Sequence, residues 1–274
     1  MSAADYPYFD APFLAFAHRG GATYEPNLHR ENSRHAFAIA VQLGYRYLET
    51  DVHATRDGVL FAFHDAVLDR LTDRPGVVAQ LSHTEVRAAR IHGVDPIPTL
   101  DELLESFPEA RFNIDAKADT TVELLATTIA RHNAYDRVCV AAFGVRRLHR
   151  LRRLLGRPVA SAASPVGVMV NRLAPWITRT LNTAAPALQI PDRVLVRGRP
   201  TPVLTPALLR AAHRAGKQVH IWTVDDAETM TRLIDLGVDG IFTDRIDILK
   251  TVLTERGLWN ELPPPPRSEG SPGP

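Results

Sequence analysis

The sequence has one cysteine among its 274 residues, so no intrachain disulfide can form, and Cys139, inside the apolar run Val138-Cys139-Val140, reads as a buried structural thiol. An excess of either charge is also missing. Lys and Arg number 32 against 31 Asp and Glu, a net charge of +1, which gives no general hold on a polyanion and argues against a nucleic-acid partner. No apolar window reaches the length of a membrane span, and the start, MSAADYPYFDAPFLAF, lacks a basic segment followed by a long apolar stretch. A cytoplasmic protein in a reducing compartment, without stable membrane insertion, is the expectation. What is present is ordinary globular composition, 45% hydrophobic and 23% charged, enough for one large α/β domain or two small ones.

Short β-rich runs alternate with helical patterns almost to the end, the signature of parallel β/α architecture. Strand candidates fall at 13–17, 47–52, 111–116, 138–142, 159–162, 187–190, 219–224 and 240–243. Between them Ala36, Ile39, Ala40 and Leu43 recur on one helix face, as do Leu124, Leu125, Thr128 and Ile129. Gly44 and Gly216 stand where left-handed C-caps end helices; Asn32 or Ser33 caps the first helix, and Thr120 or Thr121 the helix after the third strand. The run 59–63, reached through the turn-prone Arg56-Asp57-Gly58, predicts a hairpin excursion after the second strand. Residues 66–98 lack a clean period and read as a surface insertion before a helix over 99–107. No glycine-rich dinucleotide fingerprint follows a strand, which disfavours a doubly wound open sheet. The expected architecture is a (β/α)8 TIM barrel over 13–257, with an N-terminal extension over 1–12 and a disordered, proline-rich tail over 258–274. The segment 166–181 reads as a barrel helix kinked near Pro175; exposed, it would suit an acyl chain or membrane surface.

Barrel enzymes place their sites at the C-terminal ends of the strands, and the first three ends here carry His18, Arg19, Glu49, Asp51, Asp115 and Lys117. By strand parity Glu49 and Asp51 share a face, as do Asn113, Asp115 and Lys117. Three carboxylates in a confined interior are costly unless neutralised. A hard divalent cation, Mg2+ or Ca2+, does this, or Arg19 and Lys117 do it in an ion-pair network without metal. Arg19 can grip two phosphoryl oxygens, and Gly20-Gly21 behind it form a bend that lets backbone approach a ligand. His18 and His64, both at strand ends, can divide the acid and base tasks of phosphodiester hydrolysis. His53, on the parity of Glu49, reads as a packing or substrate contact.

The strings Ala17-His18-Arg19-Gly20, Glu31-Asn32-Ser33, Glu49-Thr50-Asp51-Val52, and Thr55-Arg56-Asp57-Gly58 ending in Phe63-His64-Asp65, together resemble the glycerophosphodiester phosphodiesterase family. So do Asn113-Ile114-Asp115-Ala116-Lys117 and Trp222-Thr223-Val224-Asp225; the match runs in order from about 14 to 255. The resemblance implies a (β/α)8 barrel with His18 and His64 as the acid/base pair, and one divalent cation on Glu49, Asp51 and Asp115. It implies Arg19 and Lys117 on the phosphate and Trp222 in the pocket wall. The substrate would be a small glycerophosphodiester, cleaved to glycerol 3-phosphate and an alcohol. Two departures stand out: Asp115 replaces the family's usual Glu, one methylene shorter, and the stretch GGATYEPNLHR over 20–30 is longer than the usual link and lies where it could reshape the pocket. The alternatives are a lysophospholipase D-like enzyme or a cyclic-phosphate-forming phosphodiesterase on lipids, with peripheral lipid contact, and a binding module that has lost activity.

Overall fold

The computed structural model describes residues 2–173 and 185–259; the expected kink near Pro175 and the proline-rich stretch from 260 onward lie outside them. Strands β1 (Leu14–His18), β2 (Tyr47–Ala54), β3 (Arg111–Ala116), β4 (Val138–Ala141), β5 (Ala160–Ser161), β6 (Ala187–Ile190), β7 (Gln218–Ile221) and β8 (Gly240–Thr243) pair in parallel, in chain order, and β8 returns to β1. Between β5 and β6 a parallel bridge joins Ala162 to Ala187, and Ala163 N donates to Ala187 O at 2.8 Å. The barrel is thereby nearly closed, as the alternation of strand and helix patterns leads one to expect.

Strand parity divides the apolar residues into two cores. Ala15, Leu48, Ile114, Val140, Leu188, Val219 and Ile241 face outward and pack with helix residues such as Phe37, Leu125, Leu151, Leu208 and Leu249. Leu14, Phe16, Tyr47, Cys139, Ala160 and Phe242 form the inward cluster, together with Tyr6 and Tyr8. The N-terminal residues therefore close the floor of the barrel. Tyr8 is fully buried, its ring 5.4 Å from that of Tyr47, whose hydroxyl donates to Tyr8 O at 2.9 Å. At the other terminus Leu258 and Trp259 pack against the outer core, with the Trp259 ring 5.0 Å from Tyr45. The folded body thus runs past residue 257, where the sequence pattern faded.

Gly44 and Gly216 follow their helices at φ 94° and 68°, the left-handed values a C-cap requires. Ser33 caps the helix Arg34–Gln42, its hydroxyl accepting from Ala36 N at 3.1 Å. The expected threonine cap on the helix Thr121–Arg131 is absent: Thr120 makes no capping bond, and Thr121 turns its hydroxyl to donate to Ala118 O at 2.7 Å. Ser and Thr hydroxyls bond neighbouring carbonyls as readily as amides, which is why sequence leaves this choice open.

Leu60–Ala62 pairs antiparallel with the end of β2, the expected hairpin. The stretch after it has a core of its own, in which Phe61, Phe63, Leu68, Val78, Val86, Ile91 and Ile97 are buried. A second excursion, which the sequence reading did not anticipate, leaves β6 as an antiparallel pair, Arg193–Val196 with Arg199–Pro202. Among the described residues no helix is long and apolar enough to cross a membrane.

Candidate active site

Barrel register delivers the charged residues to one end. Pairing of β1 with β2 sets His18 beside Glu49, and pairing of β2 with β3 sets Glu49 beside Asn113 and Asp51 beside Asp115. Residues two apart share a face, so these side chains stack inward above the aromatic floor. Glu49, Asp51 and Asp115 are buried. With His18, Arg19, His64, Lys117 and Trp222 they line one cavity of about 690 Å³. All eight residues selected from the sequence meet there.

The carboxylates are held among cations. Lys117 Nζ lies 2.7 Å from both Asp51 Oδ1 and Asp115 Oδ2, and Arg19 Nε lies 3.2 Å from Asp51 Oδ2. Burial works to raise the Asp51 pKa, but Lys117 and Arg19 outweigh it and hold it below the ordinary value. Glu49 fares differently: burial, then the neighbouring Asp51 charge, push it up to about 7 against the pull of His18, Arg19 and Lys117. Asp51 Oδ2 and Asp115 Oδ1 are buried without a hydrogen-bond partner. Among the described residues no three His, Cys, Asp or Glu side chains are gathered as a ready-made metal site.

Each histidine of the pair is backed by an aspartate. His18 Nδ1 is 2.8 Å from Asp244 Oδ1, and its Nε2 lies 3.8 Å from Glu49 Oε2. Burial lowers the His18 pKa, but the Glu49 charge and the Asp244 hydrogen bond overcome it and leave the value raised. His64 Nδ1 is 2.7 Å from Asp65 Oδ1. Asp65 in turn receives Arg70 Nε at 2.6 Å; this bond, against partial burial, brings its pKa down to about 2. Arg70 also forks onto Glu31, at 2.8 and 3.2 Å, and Glu31 accepts from Arg19 Nη1 at 3.2 Å. One chain of charge-assisted bonds therefore runs from His64 through Asp65, Arg70 and Glu31 to Arg19.

His53 does not line the cavity; its Nε2 lies 3.0 Å from His64 O, so it steadies the backbone that carries His64. Gly20 and Gly21 are not among the residues lining the cavity either. A Cβ on Gly20 would sit 2.7 Å from that of Ala36, so the glycine is required by the adjacent helix. No residue of the stretch 20–30 lines the cavity; Arg30 instead forks onto Asp95 at 2.5 and 2.7 Å and ties the link to the insertion. Sequence reasoning missed Asp244, Arg70 and the part of the apolar wall formed by Phe143, Val194 and Val196, whereas Val168 and Met169 belong to the segment 166–181 that it marked as suited to an acyl chain if exposed. Asp244 had a readable signal, since it is a carboxylate directly after β8; Phe143, Val194 and Val196 had none.

The glycerophosphoryl diester phosphodiesterase family model matches residues 18–248. The chain is 42% identical to a Mycobacterium tuberculosis protein named probable glycerophosphodiester phosphodiesterase 2, over 90% of this chain and 93% of that one. It is 28% identical to a lysophospholipase D of Rattus norvegicus, over 86% and 85% of the two chains. Among solved structures, a glycerophosphodiester phosphodiesterase from Agrobacterium tumefaciens superposes with a TM-score of 0.73 at 22% identity, covering 88% of this chain and 99% of that one. A phosphodiesterase from Oleispira antarctica, in complex with the product sn-glycerol-3-phosphate, superposes at 0.74 with 20% identity, over 91% and 99%. The matched span contains the whole charged end of the barrel, and the chain belongs to the glycerophosphoryl diester phosphodiesterase family.

Proposed function

We propose that the protein hydrolyses glycerophosphodiesters to glycerol 3-phosphate and an alcohol, with His18 and His64 as the acid/base pair. The observation that carries the reading is the convergence of two aspartate-backed imidazoles, two cations and three buried carboxylates on one cavity. A carboxylate on Nδ1–H fixes the tautomer in which Nε2 exchanges the proton, so Asp244 and Asp65 ready both rings for transfer at Nε2. The imidazoles come from different strands, β1 and the hairpin strand after β2. They can serve opposite sides of phosphorus, where an in-line displacement has its attacking and leaving oxygens. Arg19 offers the phosphate a planar fork held by Glu31 and Asp51.

Glu49, Asp51 and Asp115 would hold one divalent cation, Mg2+ or Ca2+. The fit rests on the buried oxygens of Asp51 and Asp115 that accept no hydrogen bond and on the raised pKa of Glu49, which mark a site with carboxylate charge that its hydrogen bonds do not satisfy. Such an ion, when bound, neutralises the carboxylates and polarises a phosphoryl oxygen. Lys117, which bridges Asp51 and Asp115 at 2.7 Å each, lines the same cavity and would supply the phosphate with a positive charge.

The test is product analysis on a panel of glycerophosphodiesters. Release of glycerol 3-phosphate, loss on chelation and recovery with Mg2+ or Ca2+ are expected, and full turnover after exhaustive chelation would sink the metal reading. His18→Ala and His64→Ala should each lower kcat by about 10²-fold with the circular dichroism unchanged. A nitrophenyl ester should partly rescue the variant lacking the general acid but not the one lacking the base.

A second substrate reading has its own support. The cavity wall of Phe143, Val168, Met169, Val194, Val196 and Trp222 is apolar, and its volume exceeds what a glycerol phosphate needs. A single-chain lysophospholipid, the class named for the Rattus norvegicus relative, fits that wall. The same panel, extended to lysophospholipids, separates the two by relative kcat/KM.

A further inference from the structure

We propose that the rim of the cavity, built from the loops after β4, β5 and β6, is a docking surface for an anionic lipid bilayer. The near-zero total charge conceals a strong segregation: residues 137–224 contain 15 Lys and Arg and one acidic residue, Asp192. That aspartate is taken by Arg232 at 2.6 Å. Several of these cations are used elsewhere, Arg147 and Arg150 on Asp119 and Glu123 and Arg152 at the barrel floor. But Arg172 lines the cavity and Arg193, Arg197 and Arg199 stand exposed in the hairpin beside it, while the polar end of β1 to β3 carries the acidic residues. Segregated basic charge beside a cavity draws an anionic partner.

The same rim exposes apolar side chains. In the hairpin after β6, Val194 and Val196 line the cavity, and the alternate residue Leu195 does not and is 75% exposed. Arg193, Arg197 and Arg199 surround it in the exposed hairpin. Across the mouth Phe143, Val166 and Met169 are 61%, 58% and 55% exposed. Aliphatic tips among guanidinium groups match a bilayer edge, where the tip enters the acyl boundary and the arginines reach back to the phosphates. A nucleic acid would use the arginines but leave Leu195 in water. A second copy of this face would bring like charges together. The lipid surface satisfies both features, and because Val194 and Val196 continue the patch into the cavity, docking sets the cavity mouth against the membrane. The inference stands apart from the phosphodiesterase reading, since binding is measured without turnover.

The experiment is co-sedimentation of the full chain with vesicles of phosphatidylcholine, with and without phosphatidylglycerol. Binding is expected to the mixed vesicles and not to phosphatidylcholine, and it should weaken as salt rises. Leu195→Asp, and separately Arg197→Glu with Arg199→Glu, should each lower the partition coefficient about tenfold or more. Turnover of a water-soluble diester should be unchanged in all of these variants. No binding to the mixed vesicles overturns the proposal. So does binding that survives Leu195→Asp intact, and so does single-stranded DNA that binds as tightly as the vesicles. A dimer that Leu195→Asp dissociates, in a protein that ignores vesicles, assigns the patch to self-association instead.

Discussion

At the scale of the residue, Asp244 makes the sharpest claim. It sits 2.8 Å from His18 Nδ1, and its hydrogen bond is one of the causes that raise the His18 pKa against burial. A raised folded value means that the charge-linked stabilisation of His18 is present below the ordinary value of about 6.5 and is lost as pH rises through the raised one. Asp244→Asn removes the negative partner, so the limb of the pH–rate profile governed by His18 should move to lower pH, whichever of the two tasks His18 performs. A fall in kcat of about tenfold to a hundredfold should accompany it. Added to His18→Ala, the change should cost little more, because the two residues act as a unit; independent losses would assign Asp244 a different role. A second residue-scale expectation concerns Cys139, which is fully buried, with its thiol pushed up by burial. It should not react with a disulfide reagent in the native protein and should react after denaturation. Rapid native labelling would contradict its place inside the barrel.

At the scale of the element, what was legible and what was not follows from where the partners of each residue lie. The eight strands were readable because each is a short apolar run bounded by a helix pattern, and Glu49 with Asp51 was readable because parity is local. The His18 contact to Asp244 spans 226 positions and exists through closure of β8 onto β1, so no local pattern announces it. The hairpin Arg193–Val196 with Arg199–Pro202 was missed for another reason. Its alternation sets Val194 and Val196 toward the cavity but Arg193 and the exposed Leu195 on the other side, a pattern unlike that of a half-buried strand. Residues 66–98 looked periodless because their core is assembled from isolated residues of turns and a short helix. That core makes the insertion a folded part in its own right. Ile91, fully buried in it, should cost about 2–5 kcal/mol of stability when changed to Ala, read by denaturant unfolding. A change under about half a kcal/mol would mean that the insertion adds nothing to the fold's cooperativity.

At the scale of the whole molecule, the barrel separates its tasks between its two ends. The C-terminal end gathers carboxylates, imidazoles and cations, while the other end is closed by aromatic packing in which Phe16 stacks on Phe242 at 4.0 Å and Tyr8 meets Tyr47. The sequence showed the first end, because charges at strand ends are conspicuous, and hid the second, because Tyr6 and Tyr8 lie in a stretch without helix or strand pattern. Their burial is set by the barrel axis, which stands open to water unless something fills it. This assigns the first residues of the chain a structural part that an extension would not have. Removing residues 1–9 exposes the inward cluster and forfeits the fully buried Tyr8, a loss of about 3–5 kcal/mol by comparison with large aromatic truncations. At about 2–4 °C per kcal/mol for a domain of this size, Tm should fall by at least about 6 °C. Tyr8→Ala should reproduce most of that fall. Below the lowered transition, kcat on a soluble diester should stay within about twofold of the intact protein, because the floor lies at the opposite end from the charged cavity. An unchanged Tm on truncation would show that the aromatic floor contributes no stability, and a kcat loss at full folding would show that the two ends are coupled.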